Sequence, residues 1–271
     1  MKKRILIAVF AMIISVTIIV LSGFDKTTME PIDNGPYESY AGVRFLAKKV
    51  PNERVLTIDG NKILLKYDST INTADKMPED REDKYGTYDE YVDDEGNIYS
   101  FLHNTNLLCG ILNLGINKQY ADSISEDTAR NIAELYLNEV LGVDAFKKYT
   151  YDSIIYDEGF ERYILKYYYP LGNMKTDDEI YITIDNFGNI ISLSALNLNK
   201  YAEITIDTYD IEKTEGNGMN YLSNLDNSNV EIQDIFISMD YKGRLTLTYI
   251  YTFANNEISQ AERYDTILIK K

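Results

Sequence analysis

One short pattern occurs three times in this chain: a β-like run, an Asp-x-x-Gly turn and a second β-like run. The copies are "YVDDEGNIYSF" (Tyr91 to Phe101), "YITIDNFGNIISL" (Tyr181 to Leu193) and "ISMDYKGRLTL" (Ile237 to Leu247). Glycine accepts a φ that other residues resist, and an aspartate three residues earlier can cap the turn with its side chain. Gly96, Gly188 and Gly243 are therefore assigned as structural turns. Gly60, in "RVLTIDGNKILLKY", is a fourth, because Asp-Gly supplies the positive φ angles of a tight hairpin. Punctuation of this kind restricts the chain to antiparallel hairpins and meanders.

Helical signals are few. The clearest is "SISEDTARNIAELYLNEVLG", where Ala129, Ile132, Ala133, Tyr136, Leu137 and Val140 recur at three- and four-residue spacings and share one face. Ser123 and Glu126 fit a capping box, Ser125 is an alternative cap, and Gly142 suits the C-terminal end. Four strand-like runs follow: "YTYDSIIYD", "FERYILKYYYP", "EIYITID" and "NIISLSAL". A helix on a four-stranded antiparallel sheet buries one face of each. The expected class is α+β, with small antiparallel sheets each packed by a helix. The expected division is 37–120 as a first β-rich unit, 121–200 as helix plus four-stranded sheet, and 201–271 as a second, weaker α+β unit. In the first unit Tyr37 to Lys48 is read as a helix, and Asp68 to Lys84 as a polar loop. In the third, "AEITIDTYDI" is read as a strand and "NGMNYLSNL" as a short helix. Each Asp-x-x-Gly motif is placed between the last strands of its unit.

Residues 1–24 are read separately. Lys2, Lys3 and Arg4 precede Ile5 to Ser22, eighteen residues with no charge, nearly enough to cross a bilayer as a helix. The cationic flank stays cytoplasmic in such a segment, so the rest faces outward. A cleaved signal peptide is the competing reading, with Val20 and Ser22 as a tolerable cleavage site. Either reading gives an extracytoplasmic protein, at the cell membrane or secreted. Residues 25–36, with Pro31, Gly35 and Pro36, read as a linker. The net charge is −16, and three units more negative without Lys2, Lys3 and Arg4. That disfavours nucleic acid and anionic membrane surfaces as partners; the plain reading of the charge is solubility, and the sharper one is attraction to a basic partner or to divalent cations.

The stretch "ISEDTARNIAELYLNEVLG", followed by "YILKYYYP" and "YITIDNFGNIISLSAL", resembles a PepSY-like domain, with its Ile-Ser-x-x-x-Ala helix start and final strand carrying Asp-x-x-Gly-x-Ile. "DDEGNIYSFLHNTNLLCGI" looks like the C-terminal part of another such unit. The resemblance implies PepSY-like or cystatin-like units in tandem. It implies a non-catalytic module that restrains a peptidase or binds an extracellular partner, and it carries no catalytic residues. There is no His-Glu-x-x-His motif, so a peptidase partner is expected on another chain.

The sequence offers three chemical readings. His103 and Cys109, the one histidine and the one cysteine, could share a face of a hairpin turning at Asn104–Asn106. No third residue orients them, and leucines around the thiol raise its pKa. A single His and a single Cys also leave a zinc site of that type out of reach within one chain. "DDEGN", Asp93 to Asn97, looks like part of a calcium loop, in a stretch from Asp75 to Glu95 where ten acids face Lys76, Arg81 and Lys84. Its glycine is misplaced for an EF-hand and no glutamate closes it, so it is read as a solvated loop. Among 43 acidic residues no spacing singles out a catalytic pair, and the absence of tryptophan counts against a sugar-stacking cleft. The expectation is therefore no enzyme, no cofactor and no metal. Binding or regulation of an unidentified cell-envelope protein is the leading reading. A sensor or assembly ectodomain is the first alternative and an unrecognised enzyme the second. Tyr163, Leu165, Tyr167 and Tyr169 alternate onto one face of their strand. Tyr167 and Tyr169 are the proposed binding residues, on a sheet expected to have open edges.

Overall fold

Among the described residues the hairpin signals resolve into sixteen strands, three helices and one dominant sheet. The structure is a computed structural model that describes residues 37–38, 44–45, 50–58, 60–72, 87–103, 105–113, 123–195, 197–225, 230–240, 243–253 and 261–271. The apolar run Ile5 to Ser22 and most of the acidic stretch lie outside these residues. Among the described residues no helix is long and apolar enough to cross a membrane.

Two short strands, β1 (Tyr37–Glu38) and β2 (Arg44–Phe45), pair with each other inside the segment read as a helix. Gly42, between them in the sequence, weakens a helical run. Then come β3 (Glu53–Ile58), β4 (Asn61–Asn72), β5 (Thr87–Val92), β6 (Ile98–Leu102) and β7 (Leu108–Leu112). Strand β4 runs on into the presumed loop because a bulge between Tyr67 and Ser69 absorbs Asp68 and lets pairing with β5 resume. Helix α1 (Glu126–Val140) and the short α2 (Val143–Phe146) lead to β8 (Thr150–Asp157), β9 (Arg162–Tyr168), β10 (Glu179–Asp185) and β11 (Ile190–Ser194). Ser125 is the N-cap of α1, its Oγ accepting from Thr128 N at 3.2 Å, and Gly142 follows the helix with φ 86°.

These nine strands form one sheet in the order β3-β4-β5-β6-β7-β11-β10-β9-β8. This corrects the expectation of separate small sheets. Leu112, Ile111 and Gly110 of β7 pair with Ser192, Leu193 and Ser194 of β11, so the two meanders are joined edge to edge. The first meander has no helix of its own among the described residues. Leu65, Tyr91, Tyr99, Phe101 and Ile111 instead extend the core formed by Ala129, Ala133 and Leu137 of α1 with Leu165, Ile180, Ile182 and Ile184. The helix touches β3 at one end of the sheet and β9 and β10 near the other. The twisted sheet therefore curls around it, and two alanines on its buried face permit that close approach.

The last segment builds a second core. A 3-10 turn (Ile206–Thr208) and the two-residue β12 (Tyr209–Asp210) replace the strand expected at "AEITIDTYDI". Asp210 instead caps α3 (Ile211–Ser223), accepting from Lys213 N at 3.1 Å, so the helix begins earlier than the glycines suggested. Strands β13 (Val230–Met239), β14 (Leu245–Phe253) and β15 (Glu262–Ile267) form a three-stranded sheet, and β16 (Ile269–Lys270) pairs with β12. Leu222, Ile237, Leu247, Tyr249 and Tyr251 are buried between α3 and this sheet. The Asp240 turn joins the first two strands of this unit rather than the last two.

The three Asp-x-x-Gly turns share one hydrogen-bond plan. Gly96, Gly188 and Gly243 have φ of 86°, 90° and 74°, and each donates its N–H to the carbonyl of the aspartate three residues earlier. Asp93 Oδ1 accepts from Asn97 N, Asp185 Oδ1 from Asn189 N and Asp240 Oδ1 from Arg244 N, all at 2.8–2.9 Å. The other oxygen takes the side chain of the same residue: Asn97 Nδ2 and Asn189 Nδ2 at 2.9 Å, Arg244 Nε at 2.7 Å. Gly60 has φ 73° in the β3–β4 hairpin.

Candidate functional site

The tyrosines proposed as a docking face lie in the interior. Tyr167 is 2% exposed and packs edge-to-face on Phe146 and Tyr151, with ring centroids 5.2 and 5.6 Å apart. Tyr169 is partly buried where the two cores meet, 5.7 Å from the ring of Tyr149. Tyr167 lies in β9 and Tyr169 directly follows it; β9 is flanked by β8 and β10, so its backbone groups are already used, and Tyr169 N donates to Asp178 O. The docking assignment is corrected on that ground: the two-residue period found the buried face, and burial is what the tyrosines are for.

The other chemical readings meet similar ends. His103 Nδ1 lies 2.6 Å from Asp89 Oδ1. The buried Cys109 donates to Ser100 O at 3.3 Å, and desolvation pushes its thiol well above the usual range. In the calcium-like loop both oxygens of Asp93 serve the turn. Oδ1 accepts from Glu95 N and Asn97 N at 2.9 Å, and Oδ2 accepts from Asn97 Nδ2 at 2.9 Å and Tyr99 Oη at 3.1 Å. Among the described residues no three acidic, histidine or cysteine side chains are grouped to hold a metal.

A buried polar network lies where the β9–β10 connection meets the C-terminal sheet, and sequence reading did not single it out. Ile237 N donates to Lys175 O at 2.8 Å and Asp177 N to Ile237 O at 3.0 Å, so main chain ties the two sheets together. Asp177 accepts from the Tyr201 hydroxyl and, at 2.8 Å, from Lys200 Nζ. Asp178 is fully buried. Its Oδ1 accepts from Tyr149 Oη at 2.8 Å, while Oδ2 has no partner. Burial pushes the Asp178 carboxyl up to about 8, against the downward pull of the Tyr149 hydrogen bond, and the Asp177 charge adds to the rise. A fully buried acid bonded to Tyr149 between two sheets fits a structural joint.

Among the described residues, β8 and β3 are the two edge strands of the nine-stranded sheet. Hydrogen-bond parity fixes which backbone groups point outward. Tyr169 N donates to Asp178 O and Asn186 N to Glu161 O, so the odd-numbered residues of β9 face β10 and the even ones face β8. Arg162, Ile164 and Lys166 pair with Asp157, Ile155 and Ser153, which leaves the amides of Ile154 and Tyr156 facing away from the sheet. At the opposite edge Tyr67 N donates to Asn52 O, in register with Ile58 opposite Asn61. There the backbone groups of Glu53, Val55 and Thr57 point outward.

Acidic groups stand at the Asp157 end of the β8 edge, while Asp152 at its other end pairs with Lys175 Nζ at 2.7 Å and Lys166 Nζ at 3.8 Å. Glu158 and Glu161 are exposed in the turn that follows Asp157. Tyr163, opposite Tyr156, donates its hydroxyl to Ile124 O at 2.8 Å, which brings Glu126 and Asp127 in the first turn of α1 to the same end.

No protein-family model matches the chain, and no curated protein matches it. Among solved structures the Bacillus megaterium YpeB C-terminal domain is similar over 80% of this chain and 85% of that one, at 12% identity and a TM-score of 0.35, too distant to carry an argument about fold or function.

Proposed function

We propose that this chain is a non-catalytic, extracytoplasmic binding and regulatory module that takes an extended, basic segment of a cell-envelope partner along the edge of β8. The observation that carries this reading is the pair of outward-facing amides at Ile154 and Tyr156, on a half-buried strand with acids at one end. Strand addition draws affinity from main-chain hydrogen bonds and selectivity from the flanking side chains. A second copy of the chain fits β8 poorly, because an axis between Ile154 and Tyr156 opposes Asp152 to Glu158. Ile5 to Ser22 tethers or exports the module, with Lys2, Lys3 and Arg4 inside. The PepSY-like helix start and the Asp185 turn favour a peptidase on another chain as the partner to be restrained.

Hydrogen exchange on the full chain in detergent micelles tests the proposal, with a peptide of alternating lysine and valine against one of alternating glutamate and valine. The basic peptide alone should protect the Ile154 and Tyr156 amides. Ile154→Pro, which removes an outward donor while sparing the β8–β9 ladder, should abolish the effect. Equal protection by both peptides, or binding that survives Ile154→Pro, would overturn it.

A further inference from the structure

The β3 edge differs from the β8 edge in being self-complementary. Natural sheets guard their edges with bulges, prolines or charges that repel a second strand. Strand β3 has no proline, and its pairing with β4 runs without a register shift. Its outward residues Glu53, Val55 and Thr57 are all exposed, Val55 by 62%. The cross-strand neighbour of Val55 is Leu64, itself 42% exposed.

We infer that β3 is the site at which two copies of this chain associate, antiparallel about a two-fold axis at Val55, so that two nine-stranded sheets become one. In that register Val55 faces Val55 of the second copy, and Glu53 faces Thr57. Each opposing pair exchanges two main-chain hydrogen bonds, about six in all. Leu64, Val55 and the same two residues of the second copy then form one apolar strip. The next row reads Lys62, Thr57, Glu53, Lys66 across the joint, so no like charges are opposed and the glutamate is flanked by lysines. Arg54 does not interfere, because its guanidinium lies on the core side over the Tyr91 and Phe101 rings, 5.0 and 4.5 Å from their centroids. An interface of one short strand buries far less than the roughly 1,000 Å² of a stable complex, so the dimer is a weak one that membrane tethering would populate. This proposal does not depend on the β8 reading, since it uses the other edge and another occupant.

Thiol cross-linking of the full chain in membranes tests it. The native Cys109 is buried, so an introduced cysteine is the reactive one. Val55→Cys with a short bismaleimide should give a covalent dimer, because the paired backbones stand about 5.5 Å apart. Ile154→Cys should give at least tenfold less. Thr57→Pro in the Val55→Cys background removes two outward donors, one from each copy, and should lower the yield at least tenfold while leaving the melting temperature of this exposed strand nearly unchanged. No dimer from Val55→Cys, an equal yield from Ile154→Cys, or a yield indifferent to Thr57→Pro at full folding would each overturn the assignment.

Discussion

Helix α3 carries two glycines whose replacement by alanine should act in opposite directions. Gly216 is exposed, and a Cβ built there meets nothing within 4 Å. Alanine at such a position removes unfolded-state freedom and stabilises by about 0.5–1 kcal/mol. Gly218 is buried against the C-terminal sheet, where a Cβ would stand 2.5 Å from Cζ and 2.6 Å from Cε2 of Tyr249 and closer still to its hydroxyl. Tyr249 is fully buried and donates to Glu215 O at 3.1 Å, so the ring can yield only by breaking that bond and disturbing Leu247 and Leu222 beside it. Overpacking of this kind costs about 1–3 kcal/mol and the lost buried hydrogen bond about 1 more. After subtracting the helix gain, Gly218→Ala should lose about 1–3 kcal/mol. At about 2–4 °C per kcal/mol for a unit of this size, calorimetry should separate the two variants by about 3–16 °C. Tyr249→Phe should not rescue Gly218→Ala, since the ring carbons still collide, whereas Tyr249→Leu should close part of the gap. Shifts of the same sign and size at both glycines would refute the close-approach argument.

Gly188→Val should cost about 2–4 kcal/mol, because it places a β-branched residue at φ 90° and drives its Cβ to 3.1 Å from Ile132 Cδ1; an unchanged denaturant midpoint would contradict this. The folded Asp178 carboxyl holds a proton that the unfolded chain releases near 3.8, so stability should fall as pH rises from about 4 to 8 and be fully reduced above 8. At about 1.4 kcal/mol per pH unit over about four pH units the loss is on the order of 6 kcal/mol, and Asp178→Asn should flatten the profile; parallel wild-type and variant curves would exclude the mechanism. Millimolar calcium should leave the melting temperature unchanged, while Asp93→Asn should cost about 1–3 kcal/mol by unpairing the turn. A calcium-induced rise in the wild type that vanishes in Asp93→Asn would show that the carboxylate binds the ion instead.

What the sequence made legible was local chemistry. The positive-φ glycines, the alternative cap Ser125 (rather than a Ser123–Glu126 box) and the face carrying Ala129, Ala133 and Leu137 all follow from spacing and side-chain type. What it hid was set by partners far away in the chain. The two-residue period of β9 located the buried face through Tyr163, Leu165 and Tyr167, yet it could not say that β9 is an interior strand, because that depends on β8 and β10 taking both sides. Nothing in "LCGIL" announces a pairing with "IISLS". The "AEITIDTYDI" run has strand-like composition, but Asp210 is taken as a helix cap and Tyr209 reaches only as far as Lys270. The Asp177–Asp178 joint was missed for the same reason, since its partners Tyr149, Lys200 and Tyr201 assemble only when the two sheets meet.

The union of β7 with β11 also fixes an order of events during synthesis. Ile111 meets Leu193, about 80 residues later in the chain, so the first meander leaves the ribosome with an apolar edge that has no partner yet. At ordinary elongation rates that wait lasts on the order of ten seconds, long against hairpin formation in microseconds. The strand Leu108–Leu112, with leucines at both ends and no charge, is therefore a segment of the nascent meander that needs shielding during that wait. A chaperone or export factor that grips it would be displaced in the end by the protein's own fourth post-helical strand, so release is timed by completion of the sheet.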